Sequence, residues 1–323
     1  MRSPSSNGRV NPKVVAATKE LSPVFEKHGD EIATRMYDLL FTEHPDLRHL
    51  FSLEFMRDSP SKHPILKQTD DSDHSNESTA SCPFLGALDS AQRPSLQASK
   101  LANSIMNFCT HIDDLDQFET SVDRITRTHV MRGIHQEHYP YLQKALIQSI
   151  KDIAGLDAKH HVLFAFEKSF SVLSDVLIGR ELQMRKALKK QHGGWEGFRL
   201  FTIVDRQDAK EGGGKMYITM ESEDGAPVIK FVEGQDVCIR WDDPEQGLVV
   251  KRFRLHQVLK PFDPHKCFTV VVSRSLSKAA VGATELLLEY GQIGYEIEVS
   301  PPVDLHARVD MGHQNWLQRM FFH

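Results

Sequence analysis

The sequence predicts two domains of different class, an all-α domain followed by an all-β antiparallel barrel. Apolar residues recur at helical spacing from residue 12 to about residue 190. The glycine-rich segment Gly193–Gly197 then interrupts the chain. After it, apolar and polar residues alternate with a period of two, which is typical of short strands. A chain of 323 residues is long enough for two domains of this kind.

The composition argues against several classes of protein. Hydrophobic residues make up 40% of the chain and charged residues 26%, so each half can bury an ordinary core. The net charge of −5 is unlike the basic excess of a general nucleic-acid binder. The sequence has no run of about 20 apolar residues that could span a membrane. Residues 1–11, predicted to be disordered, lack the apolar core of a secretory signal.

The cysteines indicate a reducing compartment. Four cysteines are scattered along the chain without a CxxC pair, which argues against a structural zinc site and against a disulfide framework. A cytoplasmic location is therefore the default expectation. The 17 histidines are numerous, but most of them must be surface or core residues.

Residues 12–51 predict three helices. Pro12 suits the first turn of the first helix. Gly29-Asp30 is expected to break the apolar pattern and to start the second helix. That helix should end at His44-Pro45, because the residue before proline avoids the α region. A short third helix is predicted at residues 46–51.

Residues 53–93 have a different character. They are rich in serine and aspartate and show little apolar periodicity, so a long loop or a disordered insert is predicted. Helical periodicity resumes at Ser95, and four more helices are expected before residue 190. They run from Ser95 to about Ile112, from Asp113–Asp116 to His129, from Tyr139 to Ala154 and from His160 to about Lys190.

Seven short strands are predicted in residues 193–303, with turns at Gly212–Gly214 and Glu223–Gly225. This number favours an antiparallel barrel or sandwich, interrupted by one helix around Thr284–Leu288. Residues 304–323 are predicted to be an unstructured tail. The predicted strands are Phe198–Val204, Lys215–Met220, Val228–Phe231, Val237–Trp241, Val249–Leu255, Phe268–Val272 and Tyr295–Val299.

One helical stretch carries a histidine of special interest. Residues 125–134 contain His129 and stop at Gly133, and Tyr139 follows at the start of the next helix. Taken alone, His129 is best interpreted as a surface histidine. Several further motifs change that interpretation: Met36–Phe41, Pro45–Phe51, the spacing from Gln97 to His129, Ile178–Glu181 and Gly193–Phe198.

With these motifs the chain resembles the flavohaemoglobins, in which a globin is fused to an FAD-binding barrel and then to a nicotinamide-binding domain. The resemblance covers roughly residues 12–300, without the segment between Phe51 and Gln97. It implies a globin domain at residues 12–190 that binds haem b, with His129 as the proximal iron ligand. Tyr139 and Glu181 would bond to the second ring nitrogen of His129 or to each other. The carboxylate would give the imidazole imidazolate character and favour O2 activation.

The resemblance also implies a distal wall for the haem pocket. Tyr37 would donate a hydrogen bond to the bound diatomic ligand, and Gln97 would be the second polar residue. Leu101 would shield the ligand, and Phe51 would wedge the haem. Without the resemblance, Tyr37 and Phe51 would be interpreted as ordinary core aromatics and Glu181 as a solvated helix charge.

The second half departs from the family pattern. Lys251-Arg252-Phe253-Arg254 stands where the family has the flavin-binding strand motif Arg-x-Tyr-Ser. Glu233–Asp236 replaces Pro-Gly-Gln-Tyr, and Gly282–Glu285 replaces a Gly-x-x-Ser helix start. These changes weigh against FAD binding and predict a degenerate barrel. No βαβ unit with a glycine-rich turn follows Pro301-Pro302, so no nicotinamide-binding site is expected. Thr128 replaces the lysine that usually precedes the proximal histidine.

Two functions remain open from the sequence. The first is a nitric oxide dioxygenase, which converts NO and O2 to nitrate and depends on a separate reductase for electrons. The second is a non-enzymatic O2 or NO sensor, carrier or scavenger that uses the barrel as an interaction module. The proximal glutamate favours the first function, and the altered flavin motifs favour the second.

Overall fold

The fold is a helical domain followed by a β-barrel, as predicted. The computed structural model describes residues 10–51, 96–114, 118–209, 214–243, 247–273, 287–289 and 291–305. The predicted insert at 53–93, the motif Gly282–Glu285 and the tail after residue 305 lie outside these described residues. None of the helices within these ranges is long and apolar enough to cross a membrane.

The helical domain begins earlier than predicted. The side chain of Asn11 accepts a hydrogen bond of 3.0 Å from the Val14 amide and so caps the first helix. Val10 is buried in the same core. Both residues therefore belong to this domain and not to the predicted disordered terminus. The helices are α1 Pro12–Lys19, α2 Ser22–Glu43, a 3₁₀-helix Pro45–Leu50, α3 Leu96–His111, α4 Glu119–Arg132, α5 His138–Ala154 and α6 His161–Lys190.

The predicted helix break at Gly29 is wrong, because α2 runs through it and the chain turns at Glu20-Leu21 instead. Gly29 faces α3, and a Cβ at this position would lie only 3.1 Å from Cβ of Ala102. Ala33 and Ala98 are buried in the same contact. Small residues let the two helix backbones approach closely. This packing offsets the loss of about 1 kcal/mol that glycine causes in a helix.

Within the described ranges, six antiparallel strands close the barrel in the order β1-β2-β5-β4-β3-β6. The prediction of a strand at Val228–Phe231, the third of the seven predicted strands, is wrong. Val228 donates one hydrogen bond to His265 but forms no ladder, and its apolar character reflects burial against the barrel core. Leu287 and Leu288, the described part of the predicted helix Thr284–Leu288, are helical, and the helix continues to Glu289. The strands are β1 Arg199–Asp208, β2 Lys215–Ser222, β3 Asp236–Asp243, β4 Gly247–His256, β5 Cys267–Ser273 and β6 Glu296–Val299.

The C-terminal turn of α4 joins the two domains. Val130 packs into the main apolar core of the barrel, and Met131 packs beside Cys238 and Val250 of β3 and β4. One turn earlier, the guanidinium of Arg127 donates a 2.7 Å hydrogen bond to a main-chain carbonyl after β6. The barrel therefore holds the same helix turn that carries His129.

Candidate functional site

His129 lies in the last turn of α4, and the end of this helix is sharply defined. Gly133 ends the helix in the left-handed conformation, with φ of 77°. Glycine reaches this conformation without the steric cost that a Cβ brings. The Ile134 amide then donates a 2.9 Å hydrogen bond back to the carbonyl of His129. The backbone of His129 is thus fixed from its C-terminal side.

The structure brings His129, Tyr139 and Glu181 together. Nδ1 of His129 lies 2.8 Å from Oε1 of Glu181 and 3.0 Å from the hydroxyl oxygen of Tyr139. The Tyr139 hydroxyl also donates to Oε1 of Glu181. Glu181 is 2% exposed and Tyr139 6%, whereas a quarter of the His129 side chain is accessible. The three residues come from α4, α5 and α6, the three helices that follow one another along the chain.

The hydrogen-bond pattern fixes which imidazole nitrogen is available. A carboxylate can only accept, so Nδ1 of His129 carries the proton that it shares with Glu181. Burial and the nearby Glu181 charge raise the pKa of Tyr139 well above its usual range, so its hydroxyl stays a donor. No hydrogen bond to Nε2 of His129 exists within the described parts of the chain. Nε2 is therefore available as a ligand atom.

A second set of polar residues, a pair, lies on α2 and α3. Burial raises the pKa of Tyr37 to about 12, and the neighbouring Gln97 side chain lowers this pKa by a smaller amount. The close contact of the two helices through Gly29 and the alanines brings these residues together. Leu101, one turn after Gln97, packs against the same core.

Aromatic rings build the wall around Tyr37. Its ring lies 5.6 Å from that of Phe41 and 5.4 Å from that of Phe51, which is predicted to wedge the haem. The charge of Arg132, three residues after His129, also lowers the pKa of Tyr37. Arg132 also donates a 3.2 Å hydrogen bond to the carbonyl of Leu50. The two polar sets therefore border the same region.

These residues fit a haem. A haem pocket needs an imidazole nitrogen free for the iron, apolar and aromatic walls, and a polar group that can bind the diatomic ligand. His129 offers the nitrogen, and its Nδ1 is bound to a carboxylate in the arrangement that orients metal-ligating histidines. Phe41, Phe51 and Leu101 are the apolar wall, and Tyr37 is the buried hydroxyl.

A family model described as Globin matches residues 84–177, which contain Gln97, His129 and Tyr139. The helical half is a globin. The match confirms the globin predicted from the motifs, and a globin binds haem.

Comparisons with whole proteins extend this likeness into the barrel. The chain is 30% identical to a flavohemoprotein of Bacillus cereus over 228 residues, which are 71% of this chain and 47% of that protein. It is 25% identical to a flavohemoprotein of Oceanobacillus iheyensis over 292 residues, 90% of this chain and 62% of that protein. The chain thus spans about half the length of most of the curated relatives that it matches.

The fold agrees with these likenesses. A crystal structure of flavohemoglobin from Malassezia yamatoensis, with bound FAD and haem, has a TM-score of 0.66 to this chain at 18% identity. The match covers 91% of this chain and 64% of the other chain. The predicted flavohaemoglobin-like architecture, a globin followed by a reductase-type barrel, is confirmed.

The predicted flavin-contacting residues lie on β4, where successive side chains point alternately into the barrel and outward. Phe253 is 5% exposed and belongs to the barrel core. Arg252 and Arg254 point outward, and each has its Nε 4.0 Å from Oδ1 of the buried Asp236. A flavin on the outside of the barrel could not touch Phe253. The predicted register of the motif therefore does not fit the strand.

Two residues of the site were missed by sequence reasoning. Arg132 and Arg185 are both charged side chains on helices, which usually point to solvent. Arg185 is buried, four residues after Glu181 and on the same face of α6. That spacing was a signal in the sequence, but only the burial of this helix face shows that Arg185 is not a surface residue.

Proposed function

We propose that this globin is a nitric oxide dioxygenase that receives electrons from a separate reductase. The observation that carries the proposal is the triad in which Glu181 and Tyr139 engage Nδ1 of His129 and leave Nε2 open. When bound, haem would supply a ferrous iron that gives up the one electron needed to convert NO and O2 to nitrate, and the separate reductase would return that electron.

The proximal residues would make His129 an electron-rich ligand. Glu181 accepts the Nδ1 proton in a charge-assisted hydrogen bond, which is stronger than a bond between neutral groups. Tyr139 binds the same carboxylate oxygen and holds it in place. An imidazole polarised in this way pushes electron density toward a metal on Nε2, which favours O2 activation over O2 storage.

The distal residues would orient the diatomic ligand. With a pKa of about 12, Tyr37 keeps its proton at physiological pH and can donate it in a hydrogen bond. Gln97 fixes the direction of the hydroxyl, while Leu101 and Phe51 keep water away from the ligand. A donor held in place before the ligand arrives needs no reorganisation.

The reaction itself provides the test. Haem-loaded protein, supplied with NADPH and a generic NADPH-dependent reductase under O2, should consume NO and form nitrate over many turnovers. The reductase alone is the control. Nitrate limited to one equivalent per haem would rule out the dioxygenase in favour of the second candidate, a non-enzymatic O2 or NO sensor, carrier or scavenger. The altered flavin motifs are the observation that favours this alternative.

We propose further that the barrel does not bind FAD. Because β4 turns alternate residues outward, the motif Arg-x-Tyr-Ser fits better three residues later, at Arg254–Gln257. In this register His256 stands at the tyrosine position, where it lies 3.3 Å from Glu233 and packs on Tyr217. Gln257 replaces the serine. The carboxylates of Glu233 and Asp236 next to these positions would disfavour a pyrophosphate.

An absorbance spectrum tests the flavin proposal. Protein purified with FAD in all buffers, then freed of unbound FAD, should show no absorbance bands of an oxidised flavin. Acid release of the bound fraction gives the FAD-to-protein ratio. A ratio close to one would disprove the degenerate barrel and would make the chain itself a candidate for electron transfer.

A further inference from the structure

Arg185 is a buried charge that the proposed function does not use. It is 3% exposed, although arginine is almost never fully buried without a reason. It lies on α6 one turn after Glu181, so that the two side chains share a helix face. Burial lowers the pKa of Arg185. Nearby negative charges act in the opposite direction, and the largest of these effects comes from Glu181. The charge of the carboxylate that binds His129 thus acts on Arg185, together with that of Glu196.

Arg185 is also connected to the backbone of His129. Its Nη2 donates a hydrogen bond to the carbonyl of Ile134 in the turn between α4 and α5. The amide of Ile134 in turn donates to the carbonyl of His129. The other terminal nitrogen, Nη1, is buried and has no hydrogen-bond partner within the described ranges. The side chain of Arg185 is therefore connected to His129 in two ways. One is the electrostatic interaction with Glu181, and the other is the pair of hydrogen bonds through Ile134 at the end of α4.

The charge of Arg185 reaches the other members of the proximal set. It lowers the pKa of Tyr139, against the stronger effects of burial and of Glu181. It also lowers the pKa of His135 in the same turn. A unit charge in a protein interior is screened far less than one on the surface, so its removal should be felt throughout this network.

We propose that Arg185 is a positioning residue that limits the electron donation of His129. Its charge partly offsets that of Glu181, and its hydrogen bond to Ile134 holds the turn that ends α4. This inference rests on His129 being the haem ligand of the proposed function. It assigns Arg185 a role that neither Glu181 nor Tyr139 has, because they increase the donation while Arg185 restrains it.

The test compares substitutions that separate charge from packing. Arg185→Met keeps the length of the side chain but loses the charge, and Arg185→Lys keeps the charge. In the haem-loaded ferrous protein, Arg185→Met should raise the iron–histidine stretching frequency in resonance Raman spectra. It should also lower the equilibrium constant for haem reduction about tenfold, as expected for loss of one buried charge. Arg185→Lys should remain near wild type in both measurements. Lys186→Met, on the exposed side of α6, is the matched control and should change neither.

The possible outcomes are distinct. If Arg185→Met folds, as judged by circular dichroism, and its stretching frequency stays unchanged or falls, the inference is overturned. An equal shift in Lys186→Met would overturn it as well, since the effect would then be a general one of charge. If Arg185→Met does not fold, Arg185→Gln, which is neutral but keeps an amide donor for Ile134, is compared with Arg185→Lys in its place. Failure of the wild-type protein to show any iron–histidine band would instead refute the ligand assignment.

Discussion

His129→Ala is expected to abolish coordination of haem and with it the sharp Soret band of the reconstituted protein. Nε2 of His129 is the nitrogen left open by the proximal triad, and alanine offers no ligand atom. The buried Glu181 and Tyr139 would remain but would lose their partner. Titration of the purified apoprotein with haem, followed by absorbance, measures the effect. We expect affinity to fall at least about a hundredfold, in line with the loss of a metal–ligand bond.

His111→Ala serves as the control for this substitution. His111 is another half-buried helix histidine, but its Nδ1 lies near a main-chain carbonyl and not near a buried carboxylate. Its removal should leave haem binding unchanged. In His129→Gly, added imidazole should restore the Soret band by occupying the vacated position. An unaltered spectrum in His129→Ala would show that another residue holds the iron.

Tyr37→Phe is expected to speed O2 dissociation from the ferrous protein by about tenfold to a hundredfold. The substitution removes the hydroxyl alone, and a hydrogen bond to a polar ligand contributes about 1.5–3 kcal/mol when the acceptor carries charge. The ring contacts with Phe41 and Phe51 stay in place, so the pocket should keep its shape. Stopped-flow displacement of O2 by CO measures the rate.

A matched tyrosine makes this result interpretable. Tyr141 lies on the exposed side of α5, where it packs on His44 and not on the distal wall. Tyr141→Phe should therefore leave the O2 dissociation rate as it is. A rate unchanged in Tyr37→Phe would contradict the distal role of Tyr37 and leave its hydroxyl only the contact with Gln97.

Local pattern carried the prediction of most elements. The helix with His129 ends at Gly133 because glycine adopts a positive φ there, and this is visible in the sequence as a periodic stretch followed by glycine. The predictions of a helix break and of a strand failed where tertiary packing, and not local structure, explains the residue pattern. Gly29 resembles a helix break but is a contact point for Ala102. Val228–Phe231 resembles a strand but packs on the barrel without pairing.

The candidate site shows the same division. His129, Tyr139, Glu181, Tyr37 and Gln97 were predicted because their spacing resembles a known family, and the structure brings them into two polar sets. Arg185 carries no motif and was missed. Its interest comes from its burial and from its contact with Ile134, 51 residues earlier in the chain.

The sequence by itself determined the two fold classes, since helical and strand periodicity are properties of neighbouring residues. It also determined which histidine to examine. Only the tertiary structure decided that Nδ1 of this histidine is hydrogen-bonded while Nε2 is not. It also decided that Phe253 of β4 points into the barrel and that Arg185, one turn after Glu181, is buried. The reason is physical: these facts depend on helices and strands far apart in the chain, and packing between them sets the burial and the charge that each side chain meets.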